Sequence, residues 1–298
     1  MSPFVHPKGV FDSIGTSVLP NNNPTGVTTM NISRRQFIGL MASMGAVSCA
    51  KMDLDSVRSI VTNDETFTFA AIGDIHVLDA RSTGIVNKAV GMINANEAAQ
   101  FTLMLGDLAT DGRLPEFRLA KDSLDKLERP YFTIPGNHDV DMTLANPMDN
   151  FAKSFDWENW DEDRGGWVFL GLDSCNGTAS DVTIRPDQVE WLTAQLGKIN
   201  ASRPIALLSH HPLNPNTKQY RVKNAEDVLA LFKDHNLKLV ASGHYHGNQE
   251  EERDGVLFTT TACCSTTRPN FDGTTSKGFR LFHVDKETIT TEYVEVMA

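Results

Sequence analysis

The chain has 298 residues, of which 40% are hydrophobic and 22% charged, with a formal net charge of -11. This length and composition support a large buried core and exclude a disordered or low-complexity chain. The acidic balance, without any long Lys/Arg block, argues against a nucleic-acid polymer as partner.

Residues 1–29 are polar, rich in Asn, Pro and Thr, and read as disordered, or as residues ahead of a natural start at Met30. Residues 30–50 read differently. Arg34 and Arg35 precede an apolar run from Phe37 to Val47, and small residues follow. That order of charged, apolar and cleavage-type segments is an export signal, and the run is too short to span a membrane. Ser33-Arg34-Arg35-Gln36-Phe37-Ile38 resembles the twin-arginine signal, so a periplasmic or otherwise exported protein is expected. Ala46-Val47-Ser48-Cys49 resembles a lipoprotein cleavage box and makes Cys49 a candidate lipid anchor, with cleavage after Ala50 as the alternative.

From Thr66 the pattern becomes regular, and a single domain over residues 66–298 is expected. FTFAAI (67–72) is a strand ending at Gly73, and Ile85, Ala89, Val90 and Ile93 recur with helical spacing. FTLML (101–105) is the next strand. Pro115 precedes a helix with Phe117, Ala120, Leu124 and Leu127 on one face, and YFTIP (131–135) is a third strand. Alternating strands and helices imply crossovers and a largely parallel sheet. Residues 140–166 read as a loop-like insertion with Trp157 and Trp160 among acidic residues.

WVFLGLD (167–173) restores a strand. Pro186 opens a helix with Val189, Leu192, Leu196 and Ile199 on its inner face. Strand 204–210, helix 225–235 and strand 237–243 follow, and VLFTTT, GFRLFHVD and TITTEYVEV read as closing strands. The four cysteines lack Cys-x2-Cys spacing, which argues against a zinc knuckle or iron–sulfur cluster. Cys263 and Cys264 read as buried thiols, or as one half of a disulfide to a distant partner.

Five core-like strands end in polar residues: Gly73-Asp74-Ile75-His76, Gly106-Asp107, Gly136-Asn137-His138-Asp139, His210-His211-Pro212 and Gly243-His244-Tyr245-His246. In open α/β sheets the carboxyl ends of strands form the ligand crevice. Six of the nine histidines fall in these loops. Carboxylate, carboxamide and imidazole groups gathered at one edge point to a metal or catalytic site. The mixture suits Mn, Fe, Zn or Co better than a thiolate-seeking metal. It offers more donors than one four-coordinate ion needs, so two divalent or mixed-valence ions are expected. Alternation along an extended segment would send His244 and His246 to the same side, one toward each ion.

These segments resemble the calcineurin-like metallophosphoesterase superfamily, whose pattern is GDxH, GD, GNHD or GNHE, an isolated His, and GHxH. The resemblance implies an α/β four-layer sandwich in which two mixed β-sheets pack together and are flanked by helices. It assigns Asp74, His76, Asp107 and His246 to a first metal and Asn137, His210 and His244 to a second, with Asp107 bridging. His138 is the non-ligand histidine near the leaving group, acting as a proton donor or as a stabilising cation. Asp139 is expected to orient a neighbour, and His211 to support the site or touch substrate. Thr110 stands where purple acid phosphatases carry a Tyr, so an iron(III)–tyrosinate centre is not expected. The motif spelling is nearest to the bacterial cyclic-nucleotide and glycerophosphodiester phosphodiesterase branch.

The implied function is an exported hydrolase of a small phosphate ester, diester or monoester, in which a hydroxide held between two metals attacks phosphorus. A non-catalytic metal-binding protein of the same fold is disfavoured, because all seven ligand positions and His138 are filled. A sulfatase-like hydrolase would need a nucleophile motif that the chain lacks. Residues 140–166, 214–224 and 265–278 are expected to set the substrate. Trp157, Trp160 and Trp167 either pack the insertion or wall the metals.

Overall fold

β1 (Thr66–Ile72) shows why two layers of core form. Successive strand side chains point to opposite faces, and both faces here are apolar. Phe67, Phe69 and Ala71 join Phe101, Phe169 and Leu208 in one cluster, whereas Ala70 and Ile72 join Val86, Val90 and Phe117 in another. β1 is therefore covered on both sides, which is why it reads as an unbroken apolar run.

The computed structural model describes residues 66–155 and 159–296. The readings of residues 1–29 and 30–50, of Cys49 and of Trp157 lie outside the described residues. In chain order the elements are β1, α1 (Thr83–Ala95), β2 (Ala99–Met104), α2 (Leu114–Leu124), β3 (Tyr131–Thr133), α3 (Asp149–Phe155), β4 (Trp160–Arg164) and β5 (Trp167–Leu172). There follow α4 (Pro186–Leu196), β6 (Pro204–Ser209), α5 (Ala225–Ala230), β7 (Asn236–Ser242), β8 (Gln249–Arg253), β9 (Val256–Thr260), β10 (Gly278–Asp285) and β11 (Thr288–Glu295).

One sheet has the order β11-β10-β1-β2-β3 and the other β4-β5-β6-β7-β9-β8. β1, β2 and β3 run parallel, as do β5, β6, β7 and β9, while the outer strands pair antiparallel. The sheets meet through an aromatic layer. Phe69 stacks on Phe101 at 5.0 Å and on Phe282 at 4.9 Å, each pair adding about 0.5–1.5 kcal/mol beyond its buried area. The first three helices cover the outer face of one sheet, and α4 and α5 cover the other. This is the expected four-layer sandwich.

Three local readings need correction. The 140–166 insertion is not all loop, because it holds α3 and β4. β8 was hidden in an acidic run, although its two-residue turn at Asp254-Gly255 (φ 54 and 78) is the left-handed kind that hairpins favour. Helix 225–235 stops at Ala230, and only its first part is α-helical. Of the two readings of Cys263 and Cys264, the buried thiols hold: both are free and buried among the described residues.

The tryptophan question is decided in favour of packing. Trp160 and Trp167 lie in the layer between the sheets. The Trp160 indole N–H donates to Thr133 O at 2.6 Å and that of Trp167 to Lys286 O at 2.6 Å. Neither walls the polar strand ends.

Candidate metal centre

The carboxyl ends of β1, β2, β3, β6 and β7 converge at one edge, across both sheets. Backbone bonds continue past the strands and hold the loops in register: Asp74 N–H to Gly106 O at 2.9 Å, His76 N–H to Asp107 O at 2.9 Å, and Gly243 N–H to His210 O at 3.1 Å. Gly136 passes so close to Asp107 that a Cβ there would overlap its carboxylate. Only glycine lets the third loop approach this closely.

Asp74, His76, Asp107, His244 and His246 all adopt left-handed backbone, with φ between 41 and 63°. Non-glycine residues seldom do so, at about 1–3 kcal/mol each, and such strain gathers at functional sites. The finding corrects the expectation of an extended Gly243–His246 segment. β7 ends at Ser242, and two left-handed turns, rather than strand alternation, aim both imidazoles inward.

The inward atoms form two groups that share one residue. Asp74, His76, Asp107 and His246 make one, and Asp107, His210 and His244 the other, with donor atoms inside each group within 4.8 Å of one another. His76 Nε2 lies 3.1 Å from His246 Nε2 and 3.4 Å from Asp107 Oδ2. The other oxygen, Asp107 Oδ1, lies 3.3 Å from His210 Nε2. Asn137 Oδ1 lies 3.2 Å from that same nitrogen, which brings the seventh expected ligand to the second group. All seven side chains are buried.

These donors fit two cations. Converging imidazole nitrogens and carboxylate oxygens, shielded from water, would repel one another without positive charge between them. The charge balance agrees. Burial favours neutral forms, yet His246 and His210 hold the Asp74 and Asp107 carboxyls below the usual range, Asp107 well below it. Against the same burial, Asp74 raises His246 to about 11, and Asp107 raises His210 to about 9. Burial, helped by the neighbouring imidazoles and against Asp107 and Asp74, carries His76 down to about 3 and His244 to about 4. The two carboxylates thus draw positive charge into the site, and two neutral imidazoles remain as donors.

A second layer fixes the ligands. His210 Nδ1 donates to Leu105 O at 2.7 Å, His246 Nδ1 to Pro269 O at 2.9 Å, and His244 Nε2 to Ser180 O at 2.9 Å. Such bonds select the tautomer that leaves the other nitrogen free for a metal. Asp139 meets its expected role: its two oxygens accept N–H bonds from Leu108, Ala109 and Gly136, each at 2.8 Å. Burial and then the Asp107 charge push its carboxyl up to about 8, against those donors. His211 is buried between Ser174 Oγ and Ala179 O, with its ring 4.2 Å from that of His244. It supports the site from behind.

His138 differs from the ligands in being half-buried. Its Nδ1 donates to Thr110 O at 2.7 Å, so Nε2 is the nitrogen left for chemistry. Its ring is 4.8 Å from that of His76. Three residues near the ligands had not been singled out from sequence. Arg268 Nη2 lies 3.3 Å from His138 Nδ1, Phe271 stacks on His246 at 5.0 Å, and Tyr220 meets His244 edge-on at 5.5 Å. All three fall in segments expected to set the substrate, which was the one available signal.

The model of the family described as calcineurin-like phosphoesterase matches residues 67–248. The chain belongs to the calcineurin-like phosphoesterase family. It is therefore a metal-dependent phosphoric ester hydrolase by family. Among relatives of this calcineurin-like phosphoesterase is a Synechococcus protein named "Probable cyclic nucleotide phosphodiesterase". It is 30% identical over 219 residues, 70% of this chain and 83% of the relative. A glycerophosphodiester phosphodiesterase of Enterobacter lignolyticus is 25% identical over 212 residues, 65% of this chain and 75% of the relative. A solved dimetal phosphatase from Danio rerio shares the fold, with a TM-score of 0.57 and 17% identity over 77% of this chain and 98% of that one.

Proposed function

We propose that the protein hydrolyses small phosphodiesters at a two-cation centre, within the class named for its cyclic-nucleotide and glycerophosphodiester relatives. The observation that carries this reading is Asp107, which turns one oxygen toward each group of donors. Asp74, His76, Asp107 and His246 would hold one cation, and Asp107, Asn137, His210 and His244 the other, with Mn, Fe, Zn or Co suited to the donors. Such a pair supplies charge for the phosphate oxygens and lowers the pKa of an attacking water.

The chain's own side chains do the rest. His138, held by Thr110 through Nδ1, presents Nε2 to the leaving oxygen and, as the imidazolium, delivers the Nε2 proton to it, leaving the neutral Nδ1–H tautomer. Arg268, beside His138, supplies a single guanidinium for a phosphate oxygen, which suits the single charge of a diester. Their half-buried setting strengthens both contacts relative to open water. The test is a panel of bis(p-nitrophenyl) phosphate, p-nitrophenyl phosphate, 3',5'-cyclic AMP and glycerophosphoethanolamine, with protein reconstituted in Mn²⁺ or Zn²⁺. Diesters should be turned over with the higher kcat/KM; a preference for the monoester would overturn the reading.

Export belongs to the same proposal. Arg34 and Arg35 ahead of the apolar run support a twin-arginine route, with Cys49 as a candidate lipid anchor. Replacing both arginines by lysine in a bacterial host should hold the protein in the cytoplasm. Unchanged fractionation would contradict the route.

A further inference from the structure

Eight non-glycine residues have left-handed backbone among the described residues. Five are metal-site residues, and Asp254 and Lys286 sit in the two-residue turns of the β8–β9 and β10–β11 hairpins. The eighth is Tyr220, at φ 60. It belongs to no hairpin turn, and a bulky aromatic residue is poorly suited to this region. Strain retained outside a turn points to a position the surrounding structure enforces. What it achieves is to set the Tyr220 ring edge-on to His244 at 5.5 Å and 5.4 Å from the Phe271 ring.

Phe271 is unusual for a different reason. It is a large apolar side chain 43% exposed, yet it is not a loose loop residue. Its N–H donates to His246 O at 3.3 Å. The next residue, Asp272, accepts the Asn248 N–H at 3.0 Å, so the loop is pinned to the segment that carries His246. One face of the ring lies nearly parallel to the His246 imidazole, at 12°. Two rings from separate loops are thus held beside the two histidines of one motif, each of which serves a different donor group. The His138 ring lies 4.8 Å from that of His76, and Arg268 lies beside His138. Tyr220 and Phe271 thus contact His244 and His246, whereas His138 contacts His76.

We propose that Tyr220 and Phe271 form a stacking platform for a planar aromatic group on the substrate, a nucleobase, and so decide between diesters that carry a ring and those that do not. The inference rests on the phosphodiesterase reading above. An exposed phenyl ring gains apolar contact when a flat ring covers it, and aromatic stacking on a base is tolerant of which base it is. Glycerophosphodiesters offer no flat surface and gain nothing from the pair.

The test compares the Mn²⁺-loaded full chain with Phe271→Leu and with Phe271→Leu/Tyr220→Asn. Leu keeps apolar volume at 271, and Asn tolerates left-handed backbone at 220. For 3',5'-cyclic AMP the platform predicts KM raised about tenfold in the double variant with kcat within about twofold, the scale expected for losing one base stack. For glycerophosphoethanolamine kcat/KM should stay within about twofold of the parent. Calorimetric titration with adenosine 5'-monophosphate and with glycerol 3-phosphate gives a readout independent of turnover. Only the nucleotide should bind more weakly to the variants. Equal losses on both substrates would make the rings general supports of the metal histidines and overturn the platform, as would an unchanged KM for cyclic AMP. A parent protein that hydrolyses neither diester sinks the phosphodiesterase reading as well, whereas one that hydrolyses both with ring-blind variants sinks the platform alone.

Discussion

The Nε2 atoms of His76 and His246 face each other at 3.1 Å, although 170 positions separate the residues in the chain. Two neutral imidazole acceptors do not settle at that distance without a proton or a cation between them. Asp74 Oδ1, 3.3 Å from His246 Nε2, and Asp107 Oδ2, 3.4 Å from His76 Nε2, complete a cup of four donors. The cup belongs to a folded state that cation binding should reinforce.

Metal removal is the first consequence. A cation that binds only the native state at about 100 times its Kd adds about 2.7 kcal/mol, or about 5–10 °C in Tm for a domain of this size. Differential scanning calorimetry with chelator and then with added Mn²⁺ should show a reversible shift of that order. A Tm indifferent to both would count against a site formed on these residues.

His138 lies outside both donor groups, and the proposed role for it is in the reaction. His138→Ala should leave metal content unchanged and lower kcat by about 10²–10⁴ for diesters with alkoxide leaving groups, the range of a lost proton donor. The loss should shrink sharply for p-nitrophenyl esters, whose leaving group needs no proton. Equal losses on both substrates would assign His138 to binding the phosphoryl oxygens instead.

Asp139 holds three backbone N–H groups from two loops. Asp139→Asn leaves one carbonyl oxygen to serve them and sets an NH2 against a donor. The expected cost is about 2–3 kcal/mol, seen as a Tm lower by about 5–10 °C. Because Gly136 N–H is one of those donors, Asn137 and His138 should shift too, and kcat should fall with stability. A variant as stable and as active as the parent would remove Asp139 from the positioning role.

Much of this site was legible in the sequence because its ligands follow apolar strand ends, where continuous apolar runs and abrupt glycines are local signals. The route of His244 and His246 was not: their inward aim depends on left-handed turns that spelling does not reveal. β4 and β8 were hidden for another reason. They are the two edges of their sheet, and WDEDR and QEEER carry the charge that discourages further strand pairing, so no apolar run marks them. Arg268, Tyr220 and Phe271 come from loops without periodicity, placed by tertiary bonds. Lys277 Nζ, for example, binds Arg268 O at 2.7 Å and Asn270 Oδ1 at 2.9 Å. Sequence left Trp160 either packing or walling the metals, because acidic residues surround it there; its side chain turns to the inter-sheet core.

If Asp107 joins two cation sites, metal stoichiometry will show it. Chelated protein reconstituted with Mn²⁺ and desalted should carry about two ions per chain by elemental analysis, as a two-metal site requires. Asp107→Asn, folded by circular dichroism, should carry fewer than about one, since both groups lose their shared carboxylate. About one ion per chain in the parent, or two retained in the variant, would contradict the account.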